Sequence, residues 1–150
     1  MRNMPCLAAA ATLMVASPAS ADTVCEWMDF AEKIERAAAP PGDAVPVPDH
    51  AHAQTQAALA MFEALNAIDR RYTSYLGLPA ASPSASQEAA AATAAYRVLI
   101  AHFPGQKTAL EESYTLAMDA VADGPAKEAG RAAGEQAAAL ALKAGNIDPG

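Results

Sequence analysis

The chain has 150 residues, a formal net charge of −7 and 53% hydrophobic residues, yet only 5% aromatic ones. Its 42 alanines account for that mismatch, and the length suits a single small domain. The acidic balance argues against a protein that works on phosphate backbones or anionic membrane surfaces. Two cysteines, Cys6 and Cys25, do not make a disulfide framework, and no apolar run approaches the ~20 residues of a membrane span.

Residues 1–21 read as a secretory signal peptide. Arg2 supplies the positive start, Leu7 to Ala16 the apolar stretch, Pro18 a helix break, and Ala19-Ser20-Ala21 the small residues of a cleavage site before Asp22. The expected location is periplasmic or secreted. After cleavage 129 residues remain with a charge of −8 and Cys25 as the one thiol. Cys25, beside Trp27 near a helix start, is expected to be packed rather than bridged.

The remainder is helical in pattern. Val24, Trp27, Met28, Ala31 and Ile34 recur at helical spacing, with Asp29–Lys33 and Glu32–Arg36 as i,i+4 pairs on the wet face. Ala39-Pro40-Pro41-Gly42 stops this helix, and a proline-rich connector runs to Pro48. Asp49 is the expected N-cap of a second helix, whose stripe of Ala58, Met61, Phe62, Leu65 and Ile68 continues to Tyr72. Gly77 to Ser86 reads as a loop. Ser84 and Gln87 form a capping-box pattern ahead of a third helix with Ala92, Tyr96, Leu99, Ile100 and Phe103 on one face. Pro104-Gly105 ends it.

A fourth helix carries Leu110, Tyr114, Ala117, Met118 and Val121. Asp123-Gly124-Pro125 then separates it from a fifth, with Pro125 at the first helical position. The fifth is nearly all small: Gly130, Ala133, Gly134, Ala137 and Ala141 with Leu140, closed by Gly145-Asn146. The fold class is therefore all-α, a small bundle of about five alanine-rich helices over residues 22–150. Leu, Ile, Val and Phe number only 21 of the 129 residues, a thin core, and the Gly130-x-x-x-Gly134 face needs another helix against it.

Candidate chemistry is sparse. His50 and His52, two apart on a helix, cannot chelate as an i,i+4 pair does. His102 at a helix end reads as a partner for the helix dipole. Glu32/Glu35, Glu111/Glu112 and Asp119/Asp123 are spaced as acid/base couples are, but they read as solvated positions. Arg70-Arg71 is a lone basic pair, and Asn66, inside an apolar stretch, is expected to bond across helices. No catalytic, cofactor-binding or metal-binding residue is assigned.

Three segments carry a family likeness. They are Ala57 to Tyr75, strongest over Asn66 to Tyr75; Ala85-Ser86-Gln87-Glu88 through Leu99 to His102-Phe103-Pro104-Gly105-Gln106; and Asp123-Gly124-Pro125-Ala126-Lys127 on to Gly134-Glu135. Together they resemble the N-terminal helical portion of secreted vanadium-dependent haloperoxidase-like proteins, of the type-2 phosphatidic acid phosphatase superfamily. The resemblance covers roughly residues 24 to 147 and implies a module without the catalytic half. The family's oxyanion-site motifs (a Lys followed by Arg-Pro, a Pro-Ser-Gly-His, and a Ser-Arg before a His) do not occur here. The resemblance thus implies no activity for this chain alone, no cofactor of its own, vanadate only where a separate chain supplies the site, and a partner carrying that catalytic half. The alternative is a free-standing periplasmic bundle that binds a protein partner or a small ligand. A haloperoxidase or phosphatase in its own right comes last.

Overall fold

In the computed structural model, residues 19–39 and 47–146 are described, with side chains from Asp22 to Ala39 and from His52 to Asn146. They form five α-helices and one short 3-10 turn: α1 (Ala19–Ala38), α2 (Val47–Asp69), α3 (Gln87–His102), the turn Pro104–Gln106, α4 (Lys107–Asp119) and α5 (Pro125–Ala144). No strand occurs among the described residues. The all-α expectation holds. Of the predicted signal peptide only Ala19–Ala21 fall among the described residues, in the first turn of α1, and most of the Pro40–Pro48 connector lies outside them.

Alanine decides the packing. Residues 89–95 of α3 are buried without a break, so these two turns are enclosed on every side, as a helical stretch apolar all round must be. Five of its neighbours in the chain fold touch it: α1, α2, α4, α5 and the 3-10 turn. Only a helix of small residues can be central in so short a chain, because each neighbour must come close to leave no void.

The most extensive interface joins α3 to α5, which run in the same direction. Gly130 lies against Ser86 and Ala89, and Gly134 against Ala90, Thr93 and Ala94. A Cβ on Gly134 would stand 2.5 Å from the Ala90 carbonyl oxygen and 2.7 Å from Thr93 Cβ. The small face of α5 thus finds its second helix within the same chain. Larger residues fill the ends: Met61, Val98, Leu99, Leu110 and Leu142 are fully buried, and Trp27 and Ile34 close the α1 side.

Local signals hold in some places and shift in others. Pro125 opens α5 as expected, after Gly124 at φ +146°, a backbone conformation that L side chains rarely adopt. Helix α2 begins at Val47, so Asp49 lies inside it and is not its cap. The cap of α3 is Ser86, whose Oγ accepts from Ala89 N at 3.1 Å, while Ser84 only meets Ser82 on the surface. Helix α2 ends at Asp69, three residues short of Tyr72, where Arg70 turns to φ +55°.

The stripe expected on α2 also rotates. Its core face is Ala53, Ala57, Ala60, Met61, Ala64, Ala67 and Ile68, whereas Phe62 and Leu65 are half-buried and Ala58 is exposed. Packing against alanine-rich α3 and α5 rewards close approach of backbones, so the small face turns inward and the bulky residues move to the flank. On α5 the buried leucine is Leu142, and Leu140 is only partly covered. No described helix is long and apolar enough to cross a membrane.

Candidate functional site

The displaced bulk of α2 lines a concavity beside α1. Phe62 and Leu65 from α2, Val24 and Cys25 from α1, and Tyr72 from the following loop line an open groove of about 570 Å³. Asn66, Asp69, Arg71 and Gln87 form its polar edge, where Arg71 Nε and Asp69 Oδ2 pair at 2.5 Å. A second hollow of about 380 Å³ shares Phe62 and Tyr72 and extends to Tyr75. The two join into one aromatic strip: Phe62 lies 6.1 Å from the Tyr72 ring and 5.8 Å from the Tyr75 ring, centroid to centroid.

Cys25 is exposed at this groove, which corrects the expectation that it packs beside Trp27. Two residues on a helix are about 200° apart, so burying Trp27 turns Cys25 outward.

The loop that carries the tyrosines is held from beneath by two side chains of α2, three residues apart on one face. Asn66 Nδ2 donates to the Tyr72 carbonyl at 2.8 Å, and Tyr72 N donates to Asn66 Oδ1 at 2.9 Å. Asn66 therefore holds the backbone that follows its own helix, not a second helix as the sequence suggested. Glu63 is fully buried. Its carboxylate accepts from Ser74 Oγ at 2.5 Å, Tyr75 N at 2.6 Å and Leu76 N at 3.1 Å. Ser74 Oγ in turn accepts from Leu78 N at 2.9 Å, and Ala81 N donates to Ala67 O at 2.9 Å. A buried carboxylate that takes two backbone amides and a hydroxyl replaces the hydration it has lost. With its backbone fixed, the loop turns Tyr72 (70% exposed) and Tyr75 (81% exposed) to solvent.

Glu63 escaped the reading of the sequence. Its signal was present: a carboxylate inside Met61-Phe62-Glu63-Ala64-Leu65, one helical turn before Asn66.

A second polar cluster sits at the opposite end of α2. Gln56, buried, receives His102 Nε2 on its Oε1 at 2.5 Å and donates through Nε2 to the Ala141 carbonyl at 3.1 Å. One amide thus joins α2, α3 and α5. The His52 ring lies 5.8 Å from the His102 ring. His102 is indeed in the last turn of α3, but burial first and His52 second push its pKa below the usual histidine value. That shift runs against the role of a cation paired with the helix dipole.

The carboxylate pairs do not assemble. Glu111, Glu112, Asp119 and Asp123 are exposed, as expected of solvated positions. Glu35 departs from that expectation: it is buried, and Gln54 Nε2 donates to its Oε2 at 2.8 Å. Arg70 and Arg71 are both exposed. The side chain of His50 lies outside the described residues. No group of three His, Cys, Asp or Glu side chains placed to hold a metal occurs among the described residues. Comparison of the chain with protein-family models, curated proteins and solved structures returns no match.

Proposed function

We propose that this chain is an exported, free-standing helical bundle without catalytic activity of its own, and that it acts by binding a protein partner along the Phe62–Tyr72–Tyr75 strip. The observation that carries this reading is the pair of tyrosines, 70% and 81% exposed, on a backbone clamped by Glu63 and Asn66. Tyrosine offers large contact area with few rotatable bonds, and a loop already fixed loses little entropy on association. The groove beside it is open, which suits a side chain or segment of another protein better than a small ligand that must be mostly enclosed. The closure of α5 onto α3 supports a bundle that stands alone.

The test begins with stability. The purified chain is expected to unfold in one cooperative transition, unmoved by millimolar vanadate. Binding is then probed with the apolar dye anilinonaphthalene sulfonate. Saturable fluorescence that weakens severalfold in Phe62→Ala and Tyr72→Ala, but not in Leu116→Ala, supports the strip. Leu116 is the control because it is equally exposed, at 71%, on α4. A response indifferent to Phe62 and Tyr72 refutes it.

A second reading gives the strip a specific occupant, the catalytic half of a haloperoxidase-like enzyme carried on another chain. It is favoured by one coincidence: Asn66 to Tyr75, where the family resemblance is strongest, is also the segment that forms the clamped loop. Vanadate-dependent bromide oxidation that appears only when this chain is mixed with a chain bearing Pro-Ser-Gly-His, and disappears with Tyr75→Ala, would establish it. Stable binding to such a chain is its minimum requirement.

A further inference from the structure

Gln56 bonds two other helices at once. Its amide takes the His102 Nε2–H bond on one side and gives a bond to the Ala141 carbonyl on the other, at 2.5 and 3.1 Å. Gly145, which caps α5 through bonds from its N–H to Ala141 and Leu142, completes the enclosure. A Cβ there would stand 2.7 Å from Gln56 Cδ and 3.0 Å from His52 Nε2. So α5 ends directly over the amide, with two imidazoles alongside.

We propose that His102, Gln56 and His52 form an acid-sensitive latch that holds the C-terminal turn of α5 to the bundle at neutral pH and releases it as the pH falls.

The bond pattern sets the neutral state. Gln56 Nε2 is committed as donor to Ala141, so Oε1 faces His102, and the neutral ring donates from Nε2. Acid adds a second proton, at Nδ1. That proton does not remove the Nε2 donor; it places a positive charge in a half-buried site with a second imidazole 5.8 Å away. Desolvation first and the neighbouring His52 second both oppose it. The remaining described charges near this end are engaged elsewhere or exposed. From α1, Glu35 takes the Gln54 amide; from α4, Lys107 lies 3.6 Å from Glu111; and on α5, Lys143 is exposed. Asp49 and His50 share the first turns of α2, with side chains outside the described residues. Relief comes as the charged His102 ring moves out toward solvent, and the bond it gives up is the one to Gln56, the amide that also holds Ala141 of α5.

The experiment is amide hydrogen exchange on the full chain at about pH 7.5 and pH 5, corrected for intrinsic rates, with the His102 ring followed by NMR across the same range. On acidification, protection of residues 141–146 is expected to drop at least about twofold more than that of α4. His52→Gln, a change at an exposed position, is expected to raise the His102 midpoint and shrink that drop. His102→Gln is expected to remove it. Three outcomes would overturn the latch: a His102 midpoint at or above that of free histidine, equal protection of 141–146 at both pH values, or a loss shared evenly by all helices.

Discussion

Gly134 of α5 rests on the backbone of Ala90 in α3 so closely that an added Cβ would meet the Ala90 carbonyl oxygen at 2.5 Å and Ala94 N at 3.0 Å. The atoms in the way are backbone, which cannot rotate aside as a side chain does. Gly134→Ala is therefore expected to destabilise the chain by about 1–3 kcal/mol, although alanine is intrinsically the better helix former by about 1 kcal/mol. Chemical denaturation of the variant beside the wild type measures this. A neutral or stabilising result would mean that α3 and α5 are not so close.

Glu63 supports the tyrosine loop through three accepted bonds. Glu63→Ala would strand the amides of Tyr75 and Leu76 and leave a cavity beneath the loop. The expected cost is about 3 kcal/mol, with faster exchange of both amides. Glu63→Gln keeps an acceptor for the amides and should lose roughly half as much. Equal losses in the two variants would show that the carboxylate acts by volume rather than by its bonds.

The start of α3 separates two serines. Ser86→Ala removes the bond that Ser86 Oγ accepts from Ala89 N and should cost about 1 kcal/mol. Ser84→Ala touches only the exposed pair with Ser82 and should stay within about 0.5 kcal/mol. Thermal melts of the two variants, run side by side, distinguish the caps. The reverse order would return the cap to Ser84.

Acid should weaken the fold through His102. Its folded pKa lies below the ordinary value of 6.5 because burial, then His52, disfavours the imidazolium. The unfolded chain therefore binds the proton more tightly. The histidine's contribution is fully present above pH 6.5 and is lost as the pH falls through that value toward the folded pKa. The melting temperature is expected to decline between about pH 7 and pH 5, and His102→Gln should flatten that part of the profile. An unchanged slope in the variant would assign the decline to other groups.

Much of this architecture is legible in the residues. Helical periodicity located all five helices, Pro125 and Gly124 marked the start of α5, and the small face of α5 announced a close neighbour. The site was less so. Asn66 was conspicuous as a polar residue in an apolar run, but its partner, the Tyr72 backbone, depends on α2 ending at Asp69 rather than running on to Tyr72. Glu63 was overlooked because a charged residue at one helical position in four looks like a wet face until the facing element is known. Cys25 was placed inside because it adjoins Trp27 in sequence, whereas the side chains of a helix separate by angle.

Composition and pattern alone determined that the chain is helical, alanine-rich and closely packed, since helix propensity and 3.6-residue spacing are local properties. Tertiary structure decided which face of each helix is inside. In most proteins the largest apolar residues claim the core because they have the most area to bury. Here α3 is sheathed in alanine, and α2 and α5 approach it best with their own smallest faces. That choice drove Phe62 and Leu65 to the flank, opened the groove beside them, and drew Glu63 and Asn66 beneath the loop that presents Tyr72 and Tyr75.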